Sequence, residues 1–317
     1  MNPLLHHLYT PLQTLLQEHD VIELNAHQDG EVFLELPLEG RISKKDSNFT
    51  KTYWLSLCHT LANLKGLYFD PHTQPALSTQ LPDGHRFQAL MSSVVASDFC
   101  VSIRVRRNPH LCLEDYGLQG KSKEELIRYV KEGASLLVSG GTSSGKTTFL
   151  NLLIQEIPLN KRILTVEDTK ELIIPHRDHV SYVISRNDTK SSINYPQVID
   201  HILRSRPDIV LGGEISVQNA YPFMRLLNTG HKGFMTTIHA DSPDDALQYT
   251  FPQNIQLAGL SVPNPYAFLK SKFDLIIQLS KDDKGNRFVQ EMYFPAEERR
   301  IVLRAISKKL ALKEKVR

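Results

Sequence analysis

The sequence predicts an α/β protein in which a smaller α+β domain precedes a larger domain built on a mostly parallel sheet. Two observations support this fold class. The first third of the chain mixes helical spacing of leucine with hairpin signals, and the rest alternates short apolar segments with helical ones. Continuous apolar strands that alternate with helices are typical of a parallel sheet covered on both faces. A chain of 317 residues is long enough for two such domains.

The smaller domain is expected over residues 1–108, since Arg106-Arg107-Asn108-Pro109 breaks the strand pattern, and a linker is expected at residues 109–117. Helical spacing of apolar residues predicts its helices, and apolar segments next to glycine-containing turns predict its strands. The predicted helices are Leu4–Glu18 and Tyr53–Leu64, and the predicted strands are Val21–Leu24, Glu31–Leu36, Arg86–Met91 and Cys100–Val105.

The larger domain is expected over residues 118–317. Its buried strands are predicted from short apolar runs, and its helices from longer segments between them. A late hairpin is predicted from Asp274–Ser280 and Arg287–Phe294. The other predicted strands are Ser135–Ser139, Arg162–Glu167, Tyr182–Ile184, Ile209–Leu211 and Phe234–Ile238, and the predicted helices are Thr147–Glu156, Val198–Ser205 and Ala220–Asn228.

Composition excludes several classes of protein. A formal net charge of +2 argues against a strongly basic protein that coats nucleic acid. Three scattered cysteines without a CxxC pair argue against a disulfide framework or a cysteine-ligated zinc site. The first fifteen residues lack the features of a signal peptide, and no segment approaches the ~18 apolar residues that span a bilayer. We therefore expect a cytoplasmic protein.

The segment from Gly140 to Thr147 matches the GxxxxGK[ST] pattern of a phosphate-binding loop, with an apolar strand before it and a helix after it. Its glycines allow backbone conformations that let consecutive N–H groups surround phosphate oxygens. We expect Lys146 to reach the β- and γ-phosphates of ATP and Thr147 to bind Mg²⁺ through its hydroxyl. The predicted nucleotide-binding residues here are Gly140, Gly141, Thr142, Ser143, Ser144, Gly145, Lys146, Thr147 and Thr148.

Two carboxylates follow later strands of the same predicted sheet. Glu167 ends the strand after the loop helix, and Glu214 follows an apolar strand and two glycines. Ligands of open α/β sheets bind outside the carboxyl ends of the strands. Each carboxylate alone could equally be a solvated strand end. Behind a phosphate loop they indicate ligands of the Mg²⁺ shell, with Glu214, aided by Glu167, activating the attacking water.

Two histidines flank the predicted strand Phe234–Ile238. His231 precedes it and His239 follows it. An imidazole N–H is a suitable donor to a γ-phosphate. The pattern leaves open which histidine senses the phosphate and which only packs or caps.

Together these segments resemble the secretion ATPase superfamily. GGTSSGKTT, VEDTKEL, LRSRPDIVLGGEI and LLNTGHKGFMTTIHA are similar to its Walker A, Asp-box, Walker B and His-box sequences. The set is most similar to the traffic ATPases of type IV secretion systems (the VirB-eleven type). The resemblance implies a RecA-like P-loop domain and ATP hydrolysis. A Walker B segment with Glu214 and no Asp is also what that family shows, whereas Ser216 stands where the family commonly has Arg.

Four arginines are candidates through this resemblance. The segments DGHRFQ and SIR resemble paired strands of the family's first domain, which implies that Arg86 and Arg104 contact phosphate. The guanidinium fork suits that role, and a surface ion pair is the alternative. Arg204 and Arg206, in the LRxRPD segment, are candidates to act on the nucleotide of their own or of a neighbouring subunit.

The resemblance further implies a homohexameric ring that powers substrate export or assembly of the secretion machine. Such a ring works with inner-membrane channel components on a protein or DNA substrate, as a peripheral protein on the cytoplasmic face of the inner membrane. The sequence leaves open which cargo is moved.

Three alternatives remain at this point. A RecA-like DNA motor lacks the basic stripe interleaved with aromatic residues that single-stranded nucleic acid favours. A non-hydrolysing assembly scaffold is compatible with Ser216 and with the missing Walker B Asp. A small-molecule kinase lacks an acceptor-site motif.

The C-terminal segment Arg299–Arg317 is rich in Lys and Arg, and its Leu303, Ile306 and Leu310 have helical spacing. We expect a solvated basic helix, with contact to acidic lipids or to a partner as the alternative.

Overall fold

The computed structural model describes residues 3–18, 20–37, 39–106, 111–184, 193–282 and 285–303. The chain divides into two compact units, one within residues 1–109 and one within residues 110–184 and 193–317. The domain boundaries expected from the sequence stay a prediction. Within the expected linker, Leu113 and Tyr116 lie on a short 3₁₀ helix and are buried in a core of the second unit.

The first unit contains a six-stranded antiparallel sheet in the order β3-β2-β1-β6-β5-β4. Its core contains Trp54, which is fully buried on the second helix. The helices and the strand at Glu31 are confirmed, whereas the predicted strand at Val21 begins two residues later. The helices are α1 (Pro3–Glu18) and α2 (Lys51–Lys65), and the strands are β1 (Glu23–Gln28), β2 (Glu31–Leu36), β3 (Gly40–Lys45), β4 (Ala76–Gln80), β5 (Arg86–Leu90) and β6 (Cys100–Arg104).

The second unit contains an eight-stranded sheet in the order β14-β13-β12-β7-β11-β10-β8-β9. The six strands from β12 to β9 in this order are mutually parallel, and the last two strands of the chain add antiparallel to one edge. The predicted parallel sheet and late hairpin are confirmed. The strands are β7 (Leu136–Gly140), β8 (Ile163–Glu167), β9 (His179–Val183), β10 (Ile209–Gly212), β11 (Phe234–Ile238), β12 (Leu275–Lys281), β13 (Arg287–Phe294) and β14 (Arg299–Val302).

Helices cover both faces of this sheet, as the continuous apolar strands predict. One core packs Phe149 of the loop helix against Val138 and Leu211, and the other packs Phe223 against Val210. The helices are α3 (Gly120–Lys131), α4 (Lys146–Gln155), α5 (Tyr195–Arg204), α6 (Ala220–Asn228), α7 (Pro243–Asp245), α8 (Phe251–Leu257) and α9 (Pro265–Lys272), with a π-helical turn (Ala246–Thr250) between α7 and α8.

The C-terminal segment departs from the expected helix. Residues Arg299–Val302 form β14, whose Arg299 pairs with Phe294 and whose side chains are part of the sheet edge. The helical prediction is therefore wrong at the start of this segment, and residues 304–317 lie outside the described residues. Among the helices that the structure describes, none is both long and apolar enough to cross a bilayer.

Candidate functional site

The phosphate loop joins β7 to α4 and depends on two of its glycines. Gly145 has φ +87°, in the left-handed region that favours glycine. A Cβ atom at Gly140 would lie 2.6 Å from Ser144 Oγ and 2.8 Å from the carbonyl oxygen of Leu279, so a side chain cannot be accommodated there. The close packing of Gly140 against β12 and the left-handed turn at Gly145 give the loop its tight path.

Lys146 is buried at the start of α4 and folds back over the loop. Its Nζ donates to the carbonyl oxygens of Gly140 at 2.9 Å and Gly141 at 3.1 Å, and lies 3.0 Å from Nδ1 of His239. The ammonium group therefore sits at the centre of the loop, where a phosphate chain would replace these acceptors.

His239 links Lys146 to Glu214. Its Nε2 lies 3.1 Å from Oε1 of Glu214. An ammonium group only donates, so Nδ1 of His239 accepts from Lys146 and the ring proton lies on Nε2, from which it is donated to Glu214. Three residues from three separate segments are thus joined in one hydrogen-bonded chain. It lies where the parallel strands of the sheet end, which we call the carboxyl edge; the amino edge is where these strands begin.

The two glycines before Glu214 explain why this strand ends without an aspartate. A Cβ atom at Gly212 would lie 2.9 Å from Thr236 Oγ1 and 3.0 Å from the ring of Phe223. At Gly213 it would lie 3.2 Å from Cγ of Glu167. Neighbouring side chains fill the space on both faces, so the first position that can carry a carboxylate is Glu214.

Glu167 is buried at the end of β8, on the face of the sheet that carries Gly213. Its Oε1 accepts hydrogen bonds from the backbone N–H groups of Glu171 and Leu172, each at 2.8 Å. Its Oε2 is buried without a partner among the described residues. Burial raises the pKa of Glu167 to about 7, and the two backbone donors oppose that shift. Oε1 of Glu167 therefore holds the loop that follows β8, while Oε2 has no hydrogen-bond partner among the described residues.

Asn219 is a site residue that the sequence did not reveal. It is buried at the start of α6, and its Nδ2 donates to the carbonyl oxygen of Glu214 at 2.8 Å. Its Oδ1 accepts from the backbone N–H of Ser216 at 2.8 Å. Thr237 fixes the same turn, because its hydroxyl donates to the carbonyl oxygen of Gly213 at 2.9 Å. The backbone around Glu214 is therefore held by side chains on two different elements.

A cleft of about 550 Å³ opens beside this chain of hydrogen bonds. One wall is the beginning of the phosphate loop and another is the segment after β11, which Gln278 ties down by donating to the carbonyl oxygen of Ala240 at 3.1 Å. The π-helical turn forms part of the third wall, and such turns are frequent at functional sites. The lining residues are Gly141, Thr142, His239, Ala240, Asp241, Asp245, Tyr249 and Thr250.

The structure does not bring His231 to this site. His231 precedes β11, whereas His239 follows it, so the two lie at opposite edges of the sheet. Five strand residues separate those edges by roughly 16 Å. His231 is partly buried near Asp208, and this burial lowers its pKa. Within one chain only His239 therefore lies beside Lys146 and Glu214, and the role of either histidine at the γ-phosphate stays a prediction.

Arg204 and Arg206 also lie at the amino edge. Arg204 ends α5, and Arg206 directly precedes the segment that enters β10. The backbone N–H of Asp208 in that segment donates to the carbonyl oxygen of Arg162, the residue before β8, at 3.0 Å. The phosphate loop follows the opposite end of the same sheet, so the structure does not bring these arginines to the loop of their own chain, and their contact with a nucleotide stays a prediction.

Arg86 and Arg104 face each other across β5 and β6 in the first unit. Arg104 is exposed, and its Nε lies 3.8 Å from Oε2 of Glu23. The predicted pairing of these two strands is confirmed, and the phosphate contact stays a prediction.

Comparisons with known proteins agree with this site. The type II/IV secretion system protein family matches residues 73–260, which is more than half of the chain. The chain is 34% identical over 180 residues to the type IV secretion system protein VirB11 of Bartonella quintana, an alignment that spans 56% of this chain and only about half (51%) of that protein. It is 24% identical to the VirB11 protein of Bartonella henselae over 92% of this chain and 93% of that protein.

A solved structure supports the fold. The pilus retraction motor PilT with bound ADP superposes with a TM-score of 0.60 at 17% identity, over 98% of this chain and 86% of that one. The chain therefore belongs to the type II/IV secretion system protein family, and it is similar to VirB11 proteins of type IV secretion systems.

Proposed function

We propose that this chain is the subunit of a homohexameric motor that hydrolyses ATP to power substrate export or machine assembly in a type IV secretion system. The observation that carries the proposal is the chain of hydrogen bonds from Lys146 through His239 to Glu214, at the edge where the phosphate loop lies. It joins a phosphate-binding cation, a polar reporter and a carboxylate base, which phosphoryl transfer to water requires.

Binding of ATP replaces the internal partners of Lys146. The loop N–H groups surround the β-phosphate, and the Lys146 ammonium exchanges the carbonyl oxygens of Gly140 and Gly141 for phosphate oxygens. A charge-assisted bond to phosphate is stronger than a bond to a neutral carbonyl, so the exchange is favourable. Thr142 and Ser144 belong to the same loop, and Thr148 continues it into α4.

Release of Lys146 also frees His239. Once Nδ1 of His239 no longer accepts from Lys146, the ring is free to turn, and its Nε2–H can exchange the Glu214 carboxylate for an oxygen of the γ-phosphate. Glu214 then accepts a proton from the attacking water as general base. The hydrogen bond from Asn219 to the carbonyl oxygen of Glu214 keeps the Glu214 backbone in place during this exchange. His239 thereby reports whether the γ-phosphate is present.

The residues present fit Mg²⁺. This ion prefers oxygen ligands and is usually held by one or two protein groups together with substrate phosphates. The buried Oε2 of Glu167 lacks a partner in the described chain, and a carboxylate is the chemistry that Mg²⁺ requires. Thr147, Glu167 and Glu214 would hold the ion, which supplies charge neutralisation on the β- and γ-phosphates.

Clusters of three or more His, Cys, Asp or Glu that could hold a metal are absent from the described part of the chain. That observation is compatible with Mg²⁺ bound jointly with the nucleotide, because phosphate oxygens complete the ligand set.

The proposal also covers how the subunits assemble and where the ring acts. We assign the chain to a ring at the cytoplasmic face of the inner membrane, in contact with secretion-channel components and with a protein or DNA substrate. Arg86 and Arg104 remain candidates for phosphate contact from the first unit. Arg204 and Arg206, at the amino edge, are candidates for contact with a neighbouring subunit. The similarity to VirB11 proteins supports this assignment.

Two measurements on the purified full chain test the proposal. We expect ATP-dependent phosphate release, and a mass of six subunits by size-exclusion chromatography with light scattering in the presence of ATP. ATP binding without phosphate release would instead identify a non-hydrolysing scaffold. Phosphate release that depends on added DNA would identify a DNA motor.

A further inference from the structure

Two side chains from outside the phosphate-loop motif hold the loop from its outer side. Nε of Arg287, the first residue of β13, donates to the carbonyl oxygen of Ser143 at 3.2 Å. The hydroxyl of Tyr116 donates to the carbonyl oxygen of Gly145 at 3.4 Å. Ser143 has φ +61°, a left-handed conformation that is uncommon for a residue other than glycine. The bond from Arg287 therefore stabilises the loop at its least favourable backbone position.

These side chains also pack tightly on the loop. A Cβ atom at Gly145 would lie 2.7 Å from Cδ of Arg287 and 2.9 Å from the Tyr116 hydroxyl oxygen. The Tyr116 ring meets Phe149 of α4 edge-on, with 4.9 Å between ring centroids. Burial raises the pKa of Tyr116 to about 12, so its hydroxyl remains a donor. The close approach of Arg287 gives Gly145 a second reason to be glycine, besides its φ.

The sheet topology brings Arg287 to this place. β12 runs parallel to β7, with Leu279 in register with Gly140, so it ends at the edge where the phosphate loop begins. There Asp282 accepts from the backbone N–H of Asn286 at 2.8 Å, within the connection from β12 to β13. Arg287 therefore lies at the loop although 144 positions separate it from Ser143.

Arg287 approaches the loop from the side opposite to the hydrolytic groups. In the sheet, β12 and β13 lie on one side of β7, whereas β11, β10 and β8 lie on the other. His239 and Glu214 follow the ends of β11 and β10, and Glu167 is the last residue of β8. A nucleotide whose γ-phosphate faces these three groups extends its other end toward Arg287.

We propose that Arg287 is a nucleotide-binding residue that contacts the α-phosphate end of the bound nucleotide, the part shared by ATP and ADP. The inference rests on the proposed function of the loop as an ATP site. Arg287 is exposed at the loop, and its Nε bond to Ser143 orients the guanidinium group beside the phosphate-binding N–H groups. A guanidinium group has five donors in a fixed fork that matches phosphate oxygens, so one bond to the loop leaves capacity for the nucleotide.

Isothermal titration of the full chain with ADP and with a non-hydrolysable ATP analogue tests this assignment. Arg287→Ala should raise the Kd of both nucleotides by about tenfold and by the same factor, since one charge-assisted hydrogen bond is lost in each complex. Lys281→Ala removes an exposed cation at the position opposite Arg287 on β12 and should change neither Kd.

Several results separate the possibilities. An unchanged Kd for ADP in Arg287→Ala would overturn the inference, and so would a loss confined to the ATP analogue. Should Arg287→Ala fail to fold, Arg287→Lys keeps the charge and the stem but loses the fork. We then expect severalfold weaker ADP binding, and wild-type affinity would overturn the inference. Lys146→Ala serves as the reference, since wild-type nucleotide affinity in that variant would instead refute the proposed function of the loop.

Discussion

The two edges of the eight-stranded sheet carry similar residues but have different chemistry. At the amino edge, Arg162 pairs with Asp178 at 2.6 Å and Lys161 pairs with Asp208 at 3.5 Å, all of them at least partly exposed. At the carboxyl edge, Lys146 is buried among carbonyl oxygens and Glu167 is buried with one oxygen unsatisfied. Partly exposed ion pairs contribute little to stability, whereas unsatisfied buried polar atoms cost stability.

The burial of two charged side chains, Lys146 and Glu167, distinguishes the carboxyl edge and fits a ligand at that edge. A buried polar atom without a protein partner is tolerated where a ligand supplies the partner. Oε2 of Glu167 and Oγ of Ser144 meet that description at the carboxyl edge, although Nε2 of His231 is a similar atom at the amino edge. Predictions that compare residues of the same type at the two edges therefore test the assignment directly.

The largest difference is expected between the buried Lys146, which begins α4, and the exposed Lys232, which precedes β11. Lys146→Ala removes the cation at the centre of the loop and the partner of His239, and should lower kcat/KM for ATP by at least about 10³-fold. Lys232→Ala, at the amino edge, should leave it unchanged. Phosphate release by equal amounts of folded protein measures both. Wild-type activity in Lys146→Ala would show that the site lies elsewhere.

A somewhat smaller effect is expected at Glu214, the carboxylate of the hydrogen-bonded chain. Glu214→Gln keeps an acceptor for Nε2 of His239 but cannot take a proton from water. We expect kcat to fall by about 10²- to 10⁴-fold while ATP still binds. Single-turnover hydrolysis and equilibrium titration separate these outcomes. Loss of ATP binding would reassign Glu214 to a structural role.

The matched histidines give the sharpest comparison of the two edges. His239→Ala breaks the link between Lys146 and Glu214 and should lower kcat by about tenfold or more, the value of a lost hydrogen bond to a charged group. His231→Ala should leave kcat unchanged per folded molecule. Steady-state kinetics at saturating ATP measures both variants. A larger loss in His231→Ala would mean that the amino edge acts on the site of another subunit.

The sequence was sufficient to predict the elements that are local in the chain. The phosphate loop from Gly140 to Thr147 is continuous, so its pattern fixes its backbone, and the apolar strands Phe234–Ile238 and Ile209–Leu211 are confirmed within a residue. The predicted strands also indicate at which end of the sheet each candidate site residue lies. His231 and Arg206 precede strands, so the rule that ligands bind at carboxyl ends predicts that both lie away from the phosphate loop of their own chain.

Other parts of the site could not be predicted, because they depend on contacts between distant segments. Arg287 meets Ser143 only after β12 and β13 have folded against β7, and nothing in its local sequence marks it. Asn219 resembles many helix-start residues until its two bonds to the Glu214 turn are seen. Strand β3 carries mainly charged and polar residues without any buried side chain, so it lacks the alternation that predicts a strand.

The smallest expected effect concerns stability rather than turnover, and it tests whether the carboxyl edge is strained without its ligand. The folded-state pKa of Glu167 is about 7, above its ordinary value of 4.5, so the folded protein binds this proton more tightly than the unfolded chain does. Stability is therefore lost as the pH rises from about 4.5 to 7, and the full penalty applies above that range. Glu167→Gln should remove this stability penalty while keeping an acceptor for the backbone N–H groups of Glu171 and Leu172.

We expect the Glu167→Gln protein without nucleotide to be more stable than wild type at alkaline pH, by about 1–3 kcal/mol, with the difference nearly absent near pH 4.5. Urea unfolding across this pH range measures the difference. Glu124→Gln, which removes an exposed carboxylate, provides the control for the loss of one negative charge. A Glu167→Gln difference that stays constant with pH would mean that burial of this carboxylate costs the fold nothing. The carboxyl edge would then be no more strained than the amino edge, and the contrast between them would rest on the kinetic variants alone.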